Sequence, residues 1–133
     1  MTQHIRRIAI AAAAAIAAVT LAACGGGNAV QTVDPGTFAS KVQTTGITVV
    51  DVRTPAEYAS GHIQGAENIN WEGDFQSGIS HLDKTKTYAV YCHSGNRSAQ
   101  ATQAMADAGF THIYNLDGGI LNWIAAGYPL VTN

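Results

Sequence analysis

The sequence predicts one α/β domain, a parallel sheet with helices on both sides, and three observations predict it. Runs 48–52 (Thr-Val-Val-Asp-Val) and 87–91 (Thr-Tyr-Ala-Val-Tyr) are rich in β-branched and aromatic residues and too evenly apolar for strands with one wet face. Helix-forming sequence follows each of them at once, so strand and helix alternate, which is the connectivity a parallel sheet needs. The chain of 133 residues, 47% of them apolar, has material for one core.

The first two dozen residues stand apart from that domain. Arg6 and Arg7 precede an Ala/Ile/Val-rich run over 8–23 that ends in Leu21-Ala22-Ala23-Cys24, the layout of an export signal. The run is shorter than the roughly 20 apolar residues of a spanning helix, and Gly25-Gly26-Gly27 follows it in place of a charged stop. Its last four residues resemble the lipobox of bacterial lipoproteins, which implies cleavage before Cys24 and acylation of that residue. The expected organisation is a signal peptide over 1–23, a Gly-rich linker over 24–31 and one domain over 32–133. The protein is then exported and lipid-anchored at the bacterial cell envelope, periplasmic or on the outer surface. An ordinary signal peptide cut elsewhere and an uncleaved anchor are the alternatives. Without Arg6 and Arg7, five basic residues face nine acidic ones, a charge of −4, which offers no electrostatic footprint for nucleic acid.

Within the domain, Asp34 can accept from the free amides of a helix that begins at Pro35, predicting a short helix over 33–43. Run 48–52 is a central strand. Thr54 and Glu57 have capping-box spacing and open a helix that ends near Gly61. Residues 66–70 read as a brief strand and 71–80 as a loop or irregular helix. Run 87–91 is the second buried strand and leads directly into Cys92-His93-Ser94-Gly95-Asn96-Arg97-Ser98. A helix over 99–108 places Ala101, Met105 and Ala108 on one stripe and stops at Gly109. Ala99 has no side-chain oxygen, so Ser98 is the expected cap. Residues 111–116 form a third main strand, Asp117-Gly118-Gly119 a turn, and 120–126 a last helix closed by Gly127. Trp123 belongs to the core, whereas Trp71 fits either core or cleft border.

Open α/β sheets place ligands beyond the carboxyl ends of their strands, and Cys92 sits there, at the tip of run 87–91. The loop after it opens a helix whose first amides lack internal partners, so donors and the positive end of the helix dipole should face a thiolate. Gly95 permits a tight turn, Ser94 and Ser98 add hydroxyl donors, and Arg97 adds a fixed positive charge, or else joins a surface ion pair. Such a pocket suits a small anion or a sulfur anion. Cys24 and Cys92 are the only cysteines, which makes Cys92 the only free thiol of an acylated chain.

Several segments together resemble the rhodanese family. They are Val49-Val50-Asp51-Val52-Arg53 with Glu57-Tyr58 behind it, Gly61-His62-Ile63-Gln64-Gly65-Ala66, the loop from Cys92 to Ser98, and Asp117-Gly118-Gly119-Ile120 with Trp123. The likeness spans about residues 32–130 and departs from the commonest pattern at Gln64, where Pro often stands. It implies a sheet of about five parallel strands and transfer of sulfane sulfur from a thiosulfate-like or persulfide donor to a thiol or cyanide. By resemblance, Cys92 is the nucleophile that carries the persulfide, and His93, Ser94, Gly95, Asn96, Arg97 and Ser98 form its cradle. No metal or organic cofactor is implied. Asp51, Arg53, Glu57 and His62 match positions that look structural in the family, with an ion pair and hydrogen bonds fixing the loop after the strand.

Two other readings remain beside the enzyme. One is a non-catalytic sulfur carrier or partner-docking module that uses the same pocket. The other is phosphatase or arsenate chemistry, which expects Arg at the sixth position after the Cys; here that position is Ser98, and Arg97 comes one residue early. The sharpest expectation is a ping-pong sulfurtransferase that needs an external acceptor, because the mature chain holds no second thiol.

Overall fold

The computed structural model describes residues 28–133. The segment 1–23 and the first half of the linker, residues 24–27 with Cys24, lie outside the described residues. Ten elements follow in order: β1 (Val30–Val33), α1 (Pro35–Val42), β2 (Ile47–Asp51), α2 (Pro55–Ser60), β3 (Glu67–Asn68), α3 (Phe75–Ser80), β4 (Thr87–Tyr91), α4 (Asn96–Asp107), β5 (His112–Leu116) and α5 (Gly119–Ala125). The strands form one sheet in the order β1-β5-β4-β2-β3, and every pairing is parallel. The expected fold class, about five parallel strands with helices on both faces, is the one observed.

Period-two alternation divides the core between the two faces. Val50, Val90 and Ile113 point with Phe75 and Ile79 of α3 and Ala101 and Met105 of α4 into one buried cluster. Val49, Ala89, Tyr91 and Leu116 join Phe38 of α1 and Ile120 and Trp123 of α5 in the other. Trp123 is core, its ring edge-on to Phe38 at 6.1 Å, and Trp71 is part-buried against Phe75 at 5.0 Å.

The local start signals appear as read. Asp34 Oδ1 accepts from the Thr37 amide at 2.7 Å with Pro35 at the first helical position. Thr54 and Glu57 close a reciprocal capping box. Two elements differ from expectation. β1 occupies residues given to the linker and the first helix, because its ladder with β5, Val30 to Ile113 through Val33 to Leu116, is set by tertiary pairing. α4 begins at Asn96 and not at 99, and its cap position is Gly95, in the left-handed region at φ 104°. Ser98 is therefore not the cap: it lies inside the first turn, where its hydroxyl donates to the Gly95 carbonyl at 3.3 Å.

The chain steps from β2 outward to β3 and then crosses to β4 on the other side, so the sheet reverses direction between β2 and β4. Crevices at such reversals, beyond the carboxyl ends of the strands, are where open α/β sheets hold ligands. The loop after β2 (residues 52–54) and the loop after β4 (residues 92–95) border this one.

Candidate active site

Cys92 follows the last residue of β4, and its backbone is fixed from the far side by α5. The Ile120 and Leu121 amides donate to the carbonyls of Cys92 and His93 at 2.9 and 3.2 Å. This close approach requires glycine at 119: a Cβ there, at φ 63°, would lie 2.5 Å from the His93 oxygen and 2.7 Å from the Cys92 oxygen. On the near side, the Gly95 amide donates to Cys92 Sγ at 3.1 Å. Ser98 and Thr102 tighten the first turn of α4, since the Thr102 hydroxyl donates to the Ser98 carbonyl at 2.7 Å. Cys92 is free and has 0% exposure. Cys92 thus belongs to the buried apolar cluster that also holds Val52 and Ala101, and its sulfur accepts one directed amide.

The loop after β2 is held by buried charge. The Arg53 guanidinium donates to both oxygens of Asp51, at 3.1 Å from Nε and 2.7 Å from Nη2, and Nη2 also donates to the Gly61 carbonyl at 2.7 Å. Tyr91 completes the set: its hydroxyl donates to Asp51 Oδ2 at 2.6 Å and accepts from the Ile63 amide at 3.0 Å. Burial, reinforced by the Asp51 carboxylate, keeps the Tyr91 hydroxyl protonated far above the ordinary phenol range. His62 stacks on Tyr58 at 3.8 Å, and its Nδ1 pairs with the Tyr58 carbonyl at 2.9 Å.

A cleft of about 250 Å³ opens beside His93 and is lined also by Glu57, Gly61, Ile120, Leu121 and Ile124. Leu121 and Ile124 are the large apolar side chains left exposed among the described residues. No group of three or more His, Cys, Asp or Glu side chains comes together as a metal site among those residues.

The family model for the rhodanese-like domain matches residues 34–126. The chain belongs to the rhodanese-like family. A thiosulfate sulfurtransferase, GlpE, of Ectopseudomonas mendocina is 36% identical over 87 residues, which cover 65% of this chain and 79% of that protein. A sulfurtransferase of Allochromatium vinosum is 36% identical over 88 residues, 66% of this chain and 81% of the relative. Among solved structures, a rhodanese-related protein of Thermoplasma volcanium superposes with a TM-score of 0.70 at 33% identity, covering 77% of this chain and 99% of that one.

In this rhodanese-like domain the expected site residues divide. Cys92, Gly95 and Ser98 meet at the turn, whereas His93, Ser94 and Asn96 are exposed around it and make no side-chain hydrogen bond among the described residues. Arg97, expected either at an anion or in an ion pair, is in the ion pair: Nη1 and Nη2 donate to Glu57 Oε1 and Oε2 at 2.7 and 2.8 Å, and Nη1 lies 3.4 Å from Glu72 Oε2. The Arg97 fork, chiefly, with help from Thr54, holds the Glu57 carboxyl down to about 2 from 4.5. Sequence reasoning missed Glu72 and Tyr91. A strand tyrosine flanked by apolar residues should have prompted a search for the partner of its hydroxyl. For Glu72 no local signal exists, since its contact is made 25 residues away.

Proposed function

We propose that this protein is a sulfurtransferase that carries sulfur as a persulfide on Cys92. The observation that carries the reading is the Gly95 amide directed at Cys92 Sγ at the β2/β4 crevice, in a chain of this family. The sulfur of Cys92, as thiolate, attacks the sulfane sulfur of a thiosulfate-like or persulfide donor. The donor's S–S bond breaks and its electron pair departs with the remainder of the donor. An external thiol or cyanide then takes the outer sulfur and regenerates the thiolate, a ping-pong cycle. The amide of Gly95 stabilises the anionic sulfur in the free state, and the loop from His93 to Ser98 contacts the donor.

Mass spectrometry after incubation with thiosulfate tests this. The expected result is one added sulfur atom, removed by cyanide, with repeated turnover. Cys92→Ser should lower turnover by at least about a thousandfold; equal turnover by that variant refutes the mechanism. The complete burial of Cys92 favours a second reading, a carrier that loads sulfur and releases it slowly to a partner. Stoichiometric loading without multiple turnovers would distinguish it.

We also propose that Cys24 is acylated and anchors the domain to the bacterial cell envelope. Support comes from the residues Leu21-Ala22-Ala23-Cys24 at the end of an apolar run. Metabolic labelling with a fatty acid should mark the wild type and not Cys24→Ala.

A further inference from the structure

The positive charge nearest the sulfur loop is not free. Arg97 is held by both oxygens of Glu57 at 2.7 and 2.8 Å and touches Glu72 at 3.4 Å, so one guanidinium stands among two carboxylates. The three ionised groups sum to −1. Glu57 is itself positioned independently of Arg97: its Oε1 accepts from the Thr54 amide at 3.4 Å and from the Thr54 hydroxyl at 3.1 Å, as the third residue of α2. The helix cap thus sets the carboxylate in place, and the arginine of the sulfur loop, 40 residues away in sequence, comes to it. Bidentate pairing of this kind leaves a guanidinium few donors for another anion. Arg97 is the second residue of α4, directly after the turn whose Gly95 amide donates to Cys92 Sγ, so the cluster stands beside the sulfur turn.

Resting on the sulfurtransferase reading, we infer that Glu57 and Glu72 act as specificity-determining residues that neutralise Arg97 and so favour organic persulfides over dianionic thiosulfate as the sulfur donor. With thiosulfate, the Cys92 thiolate bonds to the outer sulfur, the S–S bond breaks and sulfite leaves with its electron pair; two negative charges must first approach a cluster already at −1. With a persulfide R–S–S–H, the same attack gives Cys92–S–S–H and R–S⁻, the proton staying on the transferred sulfur, and a donor with an uncharged R group brings at most one charge. Neither route needs an oxidant or reductant. Glu57 is a positioning residue in this scheme: it acts through Arg97 and does not touch the reacting atoms.

The test measures how fast Cys92 of the full chain acquires one sulfur, by mass spectrometry, with thiosulfate and with the persulfide of 2-mercaptoethanol. Wild type should prefer the persulfide. Glu57→Gln keeps a residue that serves in a capping box but removes the charge; it should accelerate loading from thiosulfate about tenfold, through apparent affinity, and change loading from the persulfide less than about twofold. Glu72→Gln, on an exposed side chain outside the cap, should shift the ratio the same way by about two- to threefold. The double variant Glu57→Gln/Arg97→Ala should lose the gain. A wild-type preference for thiosulfate, an unchanged ratio in both single variants, or equal slowing with both donors would overturn the inference and leave the sulfurtransferase reading standing. Failure of wild type to load from either donor would overturn both.

Discussion

The loops after β2 and β4 leave adjacent strands at the same end of the sheet, yet they are fixed by opposite means. The first is held by side chains: Asp51, Arg53 and Tyr91 form a buried network in which each charged group finds several partners. The second is held by backbone: the Gly95 amide reaches the sulfur from inside the turn, and two α5 amides take the carbonyls behind it. One loop depends for its shape on what its side chains are. The other depends on where its glycines are, and its side chains at His93, Ser94 and Asn96 are exposed.

If that contrast holds, damage to the first loop should appear as lost stability and damage to the second as lost chemistry. The largest effect on stability is expected from Asp51→Ala, which leaves the Arg53 guanidinium buried without its counter-charge; about 3–5 kcal/mol should be lost in denaturant unfolding. The folded fraction should still load sulfur on Cys92. Gly119→Ala should cost about 3 kcal/mol through a strained backbone and collision with the Cys92 and His93 carbonyls. Its loading rate should fall further than that of Asp51→Ala, when the two are measured well below their melting points; the reverse order would break the comparison. Tyr91→Phe removes one hydroxyl that serves both Asp51 and the Ile63 amide, so a loss of about 2 kcal/mol is expected with little change in loading.

The smallest effect is a pH dependence that sharpens the boundary between the loops. The Glu57 carboxyl is depressed in the folded state, so its bridge to Arg97 contributes fully above about 4.5, where the unfolded carboxyl is ionised, and is lost as pH falls toward about 2. Thermal unfolding of wild type and Glu57→Gln should differ near neutral pH and converge on acidification through that window. A difference that persists undiminished below about pH 2 would show that the carboxylate charge is not the cause.

Local chemistry was legible in the sequence, and closure was not. Asp34 with Pro35, and Thr54 with Glu57, announce helix starts because capping partners lie three residues apart. Runs 48–52 and 87–91 announce covered strands because both faces are apolar. Cys92 was singled out by its place at the end of the second run. β1 escaped because its two middle residues, Gln31 and Thr32, are polar and exposed, which breaks any alternation, and its pairing comes from β5, more than eighty positions along. The start of α4 was set too late because the left-handed Gly95 replaces a side-chain cap, which the rule for capping oxygens does not see. Arg97 stayed ambiguous for a related reason: its partner Glu57 is visible as a cap residue, but only the topology brings the two together.

The stretch past α5 joins these separately fixed loops into one mechanical unit. His62 and Val131 exchange backbone hydrogen bonds at 2.8 Å, the Trp123 indole donates to the Pro129 carbonyl at 3.0 Å, and Leu130 sits against Gly61, whose carbonyl anchors Arg53. Trimming the chain after Tyr128 would therefore unlatch the β2 loop directly and loosen the last helix that braces the sulfur turn, whereas an affinity handle appended beyond Asn133 leaves that latch intact.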